Sequence, residues 1–127
     1  MCKVNMLGYP INVDYGAHVK QRLRSRFDDM DIAYLEYRIE EVFSDEAVAD
    51  HLMNEVKIGE DVILIDEDSG ITFAVNVGTD TLYIMTVYNA FEYSGFRCGY
   101  RQQVLKYAEK SGFRSGRFER KRGNVYA

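Results

Sequence analysis

From Val62 to Tyr88 the chain runs through three apolar segments separated by two polar turns, Asp66-Glu67-Asp68-Ser69-Gly70 and Gly78-Thr79-Asp80. In the second segment Ile71, Phe73, Val75 and Val77 alternate with Thr72, Ala74, Asn76 and Gly78. That is the period-2 pattern of a strand with one buried face. The third segment, Leu82 to Tyr88, is rich in Ile, Val, Thr and Tyr, which suit a pleated, half-buried surface. Turns this short join antiparallel neighbours. The stretch therefore predicts a three-stranded antiparallel meander.

Upstream, the period changes to that of a helix. Val19, Leu23, Phe27 and Met30 predict one over 17–30. Asp31 reads as the N-cap of a second helix ending at Phe43, with Ile32, Leu35, Ile39 and Val42 inward. Ser44-Asp45-Glu46 reads as a third start, with Ser44 as its cap. Val48, Leu52, Met53 and Val56 supply its apolar face, and Gly59 its end. One long helix bent at Ser44 is the other reading. Before these helices, Val4, Met6 and Leu7 suggest a short strand stopped by Gly8 and Pro10, and 12–16 reads as a loop. After the meander, a connector over 89–99 leads to a fourth predicted helix, Tyr100 to Ser111, with Val104, Leu105 and Ala108 inward and Gly112 as its stop. The expected architecture is α+β: N-terminal helices packed on a three- to four-stranded antiparallel meander, then a C-terminal helix and a basic tail. Residues 1–112 form the single expected domain, and 113–127 the tail, which has too little apolar content for a core of its own.

A length of 127 residues with 46% apolar content fits one domain with its own core. Cys2 and Cys98 have no metal-ligand spacing between them, and no window reaches the apolar length of a membrane span. With no secretory leader pattern at Met1, the expectation is a cytoplasmic protein with unpaired thiols, no membrane partner, no cofactor and no metal. The net charge of −4 conceals a division. Residues 1–96 hold 7 Lys and Arg against 18 Asp and Glu, whereas 97–127 hold 9 against 2. A basic end of this kind seeks something anionic, either nucleic acid or the acidic half of the same chain.

Candidate chemistry lies on the first helix. His18, Arg22 and Arg26 are four apart, one position before each core residue, so they form a stripe on the flank of the buried face. A helix packed on a sheet can bring that flank to the end of the last meander strand, where Thr86 and Tyr88 stand. RNA cleavage beside a 2′-hydroxyl needs a base, an acid and cations on the phosphorane. The planar fork of arginine suits phosphate. A solvated helix flank has the same pattern, with Asp28 or Asp29 pairing with an arginine.

The order of these parts resembles the RelE/ParE-like toxin superfamily, closest to its DUF4258 family of RelE-like domains. The resemblance rests on His18, Arg22 and Arg26 as H-x3-R-x3-R and on Ile84-Met85-Thr86-Val87-Tyr88 as I-x-T-V-Y, and covers about residues 16–90. It implies a helical pair on a twisted antiparallel sheet, RNA or the ribosome as partner, and metal-independent RNA cleavage. It also implies His18, Arg22, Arg26, Thr86 and Tyr88 as the catalytic positions. Outside its pattern stand a sequence pI near 5.2 and the acidic helix between Asp45 and Glu60.

Two further surfaces carry expectations. Arg114, Arg117, Arg120, Lys121 and Arg122, interleaved with Phe113, Phe118 and Tyr126, offer cations for phosphates and rings for bases; a solvated tail is the bland reading. Between Asp28 and Asp68 stand 15 acids against Arg38 and Lys57. Such a face can mimic nucleic acid and engage a protein partner, an antitoxin or an inhibited nucleic-acid-binding target. Asp66-Glu67-Asp68 lacks calcium-loop spacing and reads as a hairpin turn, and His51 reads as a surface or boundary residue. Two functions follow: a RelE-like, toxin-type RNA-binding protein acting as a metal-independent endoribonuclease, or a non-enzymatic acidic inhibitor from a phage or mobile element.

Overall fold

The computed structural model describes residues 2–89, 101–107 and 114–119, with the side chains of 105–107 in the last two stretches. The chain starts with a hairpin of β1 (Cys2–Met6) and β2 (Tyr9–Tyr15). Its turn residues, Leu7 and Gly8, both have positive φ, at 55° and 88°, the twist that two-residue hairpins favour. The side-chain oxygen of Asn5 accepts the Gly8 N–H at 2.8 Å and fixes the turn. The reading of 12–16 as a loop is corrected here. Ile11, Val13 and Tyr15 are buried on one face of β2 and alternate with less buried residues.

Three helices follow: α1 (Ala17–Arg26), α2 (Ile32–Phe43) and α3 (Glu46–Asn54). α1 is shorter than its periodicity predicts, because Phe27 turns extended while staying in the core. Asp31 caps α2 by accepting the Tyr34 N–H. Asp45, not Ser44, caps α3 by accepting the Val48 N–H. Ser44 instead closes α2.

The meander is present as β3 (Asp61–Asp66), β4 (Ile71–Val77) and β5 (Thr81–Asn89), but it is only the middle of a larger sheet. β6 (Arg101–Tyr107) and β7 (Arg114–Glu119) extend it on one side and the N-terminal hairpin on the other, in the order β1-β2-β5-β4-β3-β6-β7. The sheet is mixed, since β2 runs parallel to β5 and β6 parallel to β3. The expected antiparallel meander of three or four strands is thus overturned, and so is the fourth helix. Leu105 and Tyr107 take the period-2 core positions of a strand beside β3, so tertiary pairing decides against the local helical pattern. β3, with neighbours on both sides, carries the buried run Val62-Ile63-Leu64, as a central strand should.

The helices and one face of the sheet share the core. Phe43 of α2 meets Phe73 of β4 edge-on at 5.5 Å between ring centroids. One charged pair is buried as well. Arg38 of α2 donates through Nε (2.8 Å) and Nη2 (3.1 Å) to Asp66 at the end of β3, with Arg38 5% exposed and Asp66 not exposed at all. Asp66 also accepts from the Ser69 hydroxyl and the Asp68 N–H, so both carboxylate oxygens are saturated. Burial pulls the Arg38 pKa down, but the hydrogen bond and charge of Asp66 outweigh it and leave the pKa raised. Arg38→Met would strand a buried carboxylate and cost about 3–5 kcal/mol. Exposed Lys57→Met should stay within about 0.5 kcal/mol, and urea unfolding of both variants checks the contrast.

A second tie joins β2 to α2, where the Tyr15 hydroxyl donates to the Glu36 carboxylate. Burial first, then that hydrogen bond and the charge of Glu36, push the Tyr15 pKa up from its ordinary 10.0. The folded state therefore holds the proton after the unfolded state has lost it. This stabilisation is complete below pH 10.0 and is lost as pH rises above it. Urea midpoints should fall above pH 10 in the wild type, and Tyr15→Phe should flatten that fall.

Candidate nucleic-acid interface

β2 pairs with β5 only from Asn12–Thr81 to Tyr15–Ile84. Beyond Ile84, β5 keeps β4 on one side and is open to α1 on the other, since α1 begins two residues after β2 ends. Val19 and Leu23 of α1 enter the core, as does Phe27 just beyond it, and this seats the helix along the open edge. The register of β4 and β5 shifts at Ala74/Val75. As a result Leu82, Ile84 and Val87 all reach the core, whereas Tyr83 and Met85 are exposed and Thr86 and Tyr88 are half-buried.

Arg26 joins the two elements. Its Nη1 donates to the Val87 carbonyl at 2.8 Å, and its guanidinium lies 4.7 Å from the centroid of the Tyr88 ring. Asn89 returns the tie by donating through Nδ2 to the Arg26 carbonyl at 3.1 Å. One turn earlier, Arg22 Nε approaches His18 Nε2 at 3.5 Å, the outer limit of a hydrogen bond. His18 is exposed and Arg22 half-exposed. The structure thus brings together Arg26 with Tyr88, and Arg22 with His18; Arg22 stands about 6 Å and His18 about 12 Å from Arg26 along the helix axis. Thr86 shares the edge segment of β5 with Tyr88. The idea that an arginine of the stripe pairs with Asp28 or Asp29 finds no ion pair among the described residues.

The electrostatics of α1 set it apart. Residues 2–89 contain seven Lys and Arg against seventeen Asp and Glu. Four of the seven, Lys20, Arg22, Arg24 and Arg26, stand on this ten-residue helix, which carries no acid. Arg24 and Arg26 in its last turn also complement the helix dipole. Of the remaining three, Arg38 is buried against Asp66. Within residues 2–89, a phosphate chain therefore meets the densest positive charge on α1, with the Tyr88 ring beside Arg26.

Sequence reading missed Lys20, Arg24, Tyr83 and Asn89. The absence of acids on α1 pointed to the first two, and the alternation of Tyr83 with Leu82 and Ile84 pointed to the third. Asn89 gave no signal, because its role depends on a contact 63 residues away. The backbone at Arg114 and Arg117 is strand β7, while Arg120, Lys121 and Arg122 lie outside the described residues. His51 is buried and pairs with the exposed Glu55 at the C-cap of α3, which fits the boundary reading and not the surface one. Among the described residues no group of three or more His, Cys, Asp or Glu side chains is arranged around a cation, and no helix is long and apolar enough to cross a membrane.

Arg26 is engaged in structure while Arg22 is not, and the two should separate by measurement. Arg26→Ala should cost about 1–2 kcal/mol through its charged hydrogen bond and ring contact. Arg22→Ala should change stability by less than about 0.5 kcal/mol, as read by thermal unfolding. No family model matches the chain, and searches of curated proteins and of solved structures find no match either.

Proposed function

We propose that this chain is a cytoplasmic RNA-binding protein that holds single-stranded RNA along α1 and the outer edge of β5 and cleaves it with protein groups alone. The concentration of cations on α1, within residues 2–89 that are otherwise acidic, carries the reading. The RelE/ParE-like resemblance of the same residues supports it. Arg22 binds a phosphate through its free donors, with Lys20 and Arg24 beside it. Arg26, fixed by Val87 and Tyr88, supplies a pre-oriented positive charge one turn along. His18 takes the proton of the attacking 2′-hydroxyl, and Tyr88 delivers one to the leaving oxygen. Thr86 offers a hydroxyl to the sugar or phosphate on the same strand, and Tyr83 a face for a base. The basic residues from Arg114 to Arg122 extend the phosphate contacts.

The test is RNA cleavage by purified protein in EDTA, on free RNA and on ribosome-bound message. Wild type should cut. His18→Ala should lower the rate by about 10²–10⁴-fold, the usual loss for a missing acid or base, with RNA affinity little changed. Arg22→Ala should weaken binding and reduce its salt dependence by roughly one phosphate contact. Cleavage unaffected by both substitutions would refute this assignment of the site.

A further inference from the structure

A second surface has the opposite chemistry. Where α1 gives way to α2, a cleft of about 390 Å³ opens between Phe27, Asp28, Asp29, Met30, Tyr34 and Asn89. Its floor is apolar, since Phe27 is buried and Met30 packs partly against the core. Its walls are the Tyr34 ring and two exposed carboxylates. One turn along α2, Tyr37 is 53% exposed and lies 6.1 Å from Tyr34 between ring centroids. Two neighbouring exposed aromatic rings on a helix are a feature of interfaces rather than of a solvated face.

The charge around the cleft decides what it takes. Asp28 and Asp29 make no ion pair among the described residues. The acids of α2 and α3 continue the same sign; the nearest arginine in sequence, Arg26, is turned to Val87 and Tyr88, and Arg38 is paired with Asp66 and lies over one face of the Tyr37 ring. The N-terminus of α2 would by itself favour an anion, but Asp31 already caps it, and two full negative charges outweigh half a positive one. An apolar floor, aromatic walls and paired carboxylates together suit a guanidinium with its aliphatic stem, which can stack on Tyr34 while its donors meet Asp28 and Asp29.

We infer that this cleft, with the Tyr34–Tyr37 ledge, docks an arginine-bearing basic segment of a partner protein. The acidic face of α2 and α3 steers the segment in, and the cleft holds one arginine as its anchor. This inference is independent of RNA binding along α1, so either can fail without the other.

The test is fluorescence anisotropy with a labelled short peptide of alternating arginine and alanine. Asp28→Asn/Asp29→Asn, both at exposed positions, should weaken binding by about tenfold or more. Glu46→Gln/Asp50→Asn removes the same charge from α3 and should weaken it by less than about twofold, because those sites lack a cleft. Tyr34→Ala should also weaken it severalfold, and lysine in place of arginine should bind less well. Equal losses from the two charge pairs would show general attraction to an acidic body and overturn the site. Absence of peptide binding to wild type would overturn it as well.

Discussion

β2 lies parallel to β5 only as far as Tyr15, opposite Ile84, and the candidate interface depends on that stop. Had β2 continued, its backbone would have occupied the edge of β5 from Met85 to Asn89. The chain instead turns at Gly16 into α1, which fills the vacated edge with side chains. A guanidinium reaches a strand carbonyl and a tyrosine ring, and an asparagine on the strand reaches back to the helix. An edge carbonyl without a partner would need water or a donor. Arg26 supplies the donor and ties the last turn of α1 to the end of β5.

Charge is sorted on this scaffold more sharply than the net value suggests. α1 is wholly basic in its charged residues, whereas α2 and α3 are acidic except for Arg38 and His51. Both exceptions are buried and paired. The two surfaces meet at the α1–α2 turn, where Arg26 stands two residues from Asp28, inside the Debye length of about 8 Å at physiological salt. The same small body presents a phosphate-binding strip and, around the α1–α2 turn, a cleft for a cation.

Local pattern revealed much of this, and topology accounts for what it did not reveal. The meander, the caps at Asp31 and the core faces of the helices are recorded within a few residues of themselves, in period and in capping chemistry. That the flank of the first helix carries His18, Arg22 and Arg26 was legible for the same reason, and of the three Arg26 reaches the end of β5. Parallel pairing leaves no such mark. Nothing near Asn12 announces a partner at Thr81, and nothing near Val104 announces one at Ile63. Val104-Leu105 therefore fitted a helix until β3 provided a strand to lie against. β2 was misread although Ile11, Val13 and Tyr15 alternate, because Pro10 and the polar residues between them resemble a loop. Arg38 looked like one cation in an acidic helix, and only the fold shows that Asp66 is its counter-charge.

An NMR titration of the amide-labelled protein with a single-stranded RNA oligonucleotide tests the central claim most directly. Chemical-shift changes should concentrate on Ala17 to Arg26 and on Tyr83 to Asn89, and should weaken as salt is raised. Changes confined to α2 and α3, or none at physiological salt, would contradict the account.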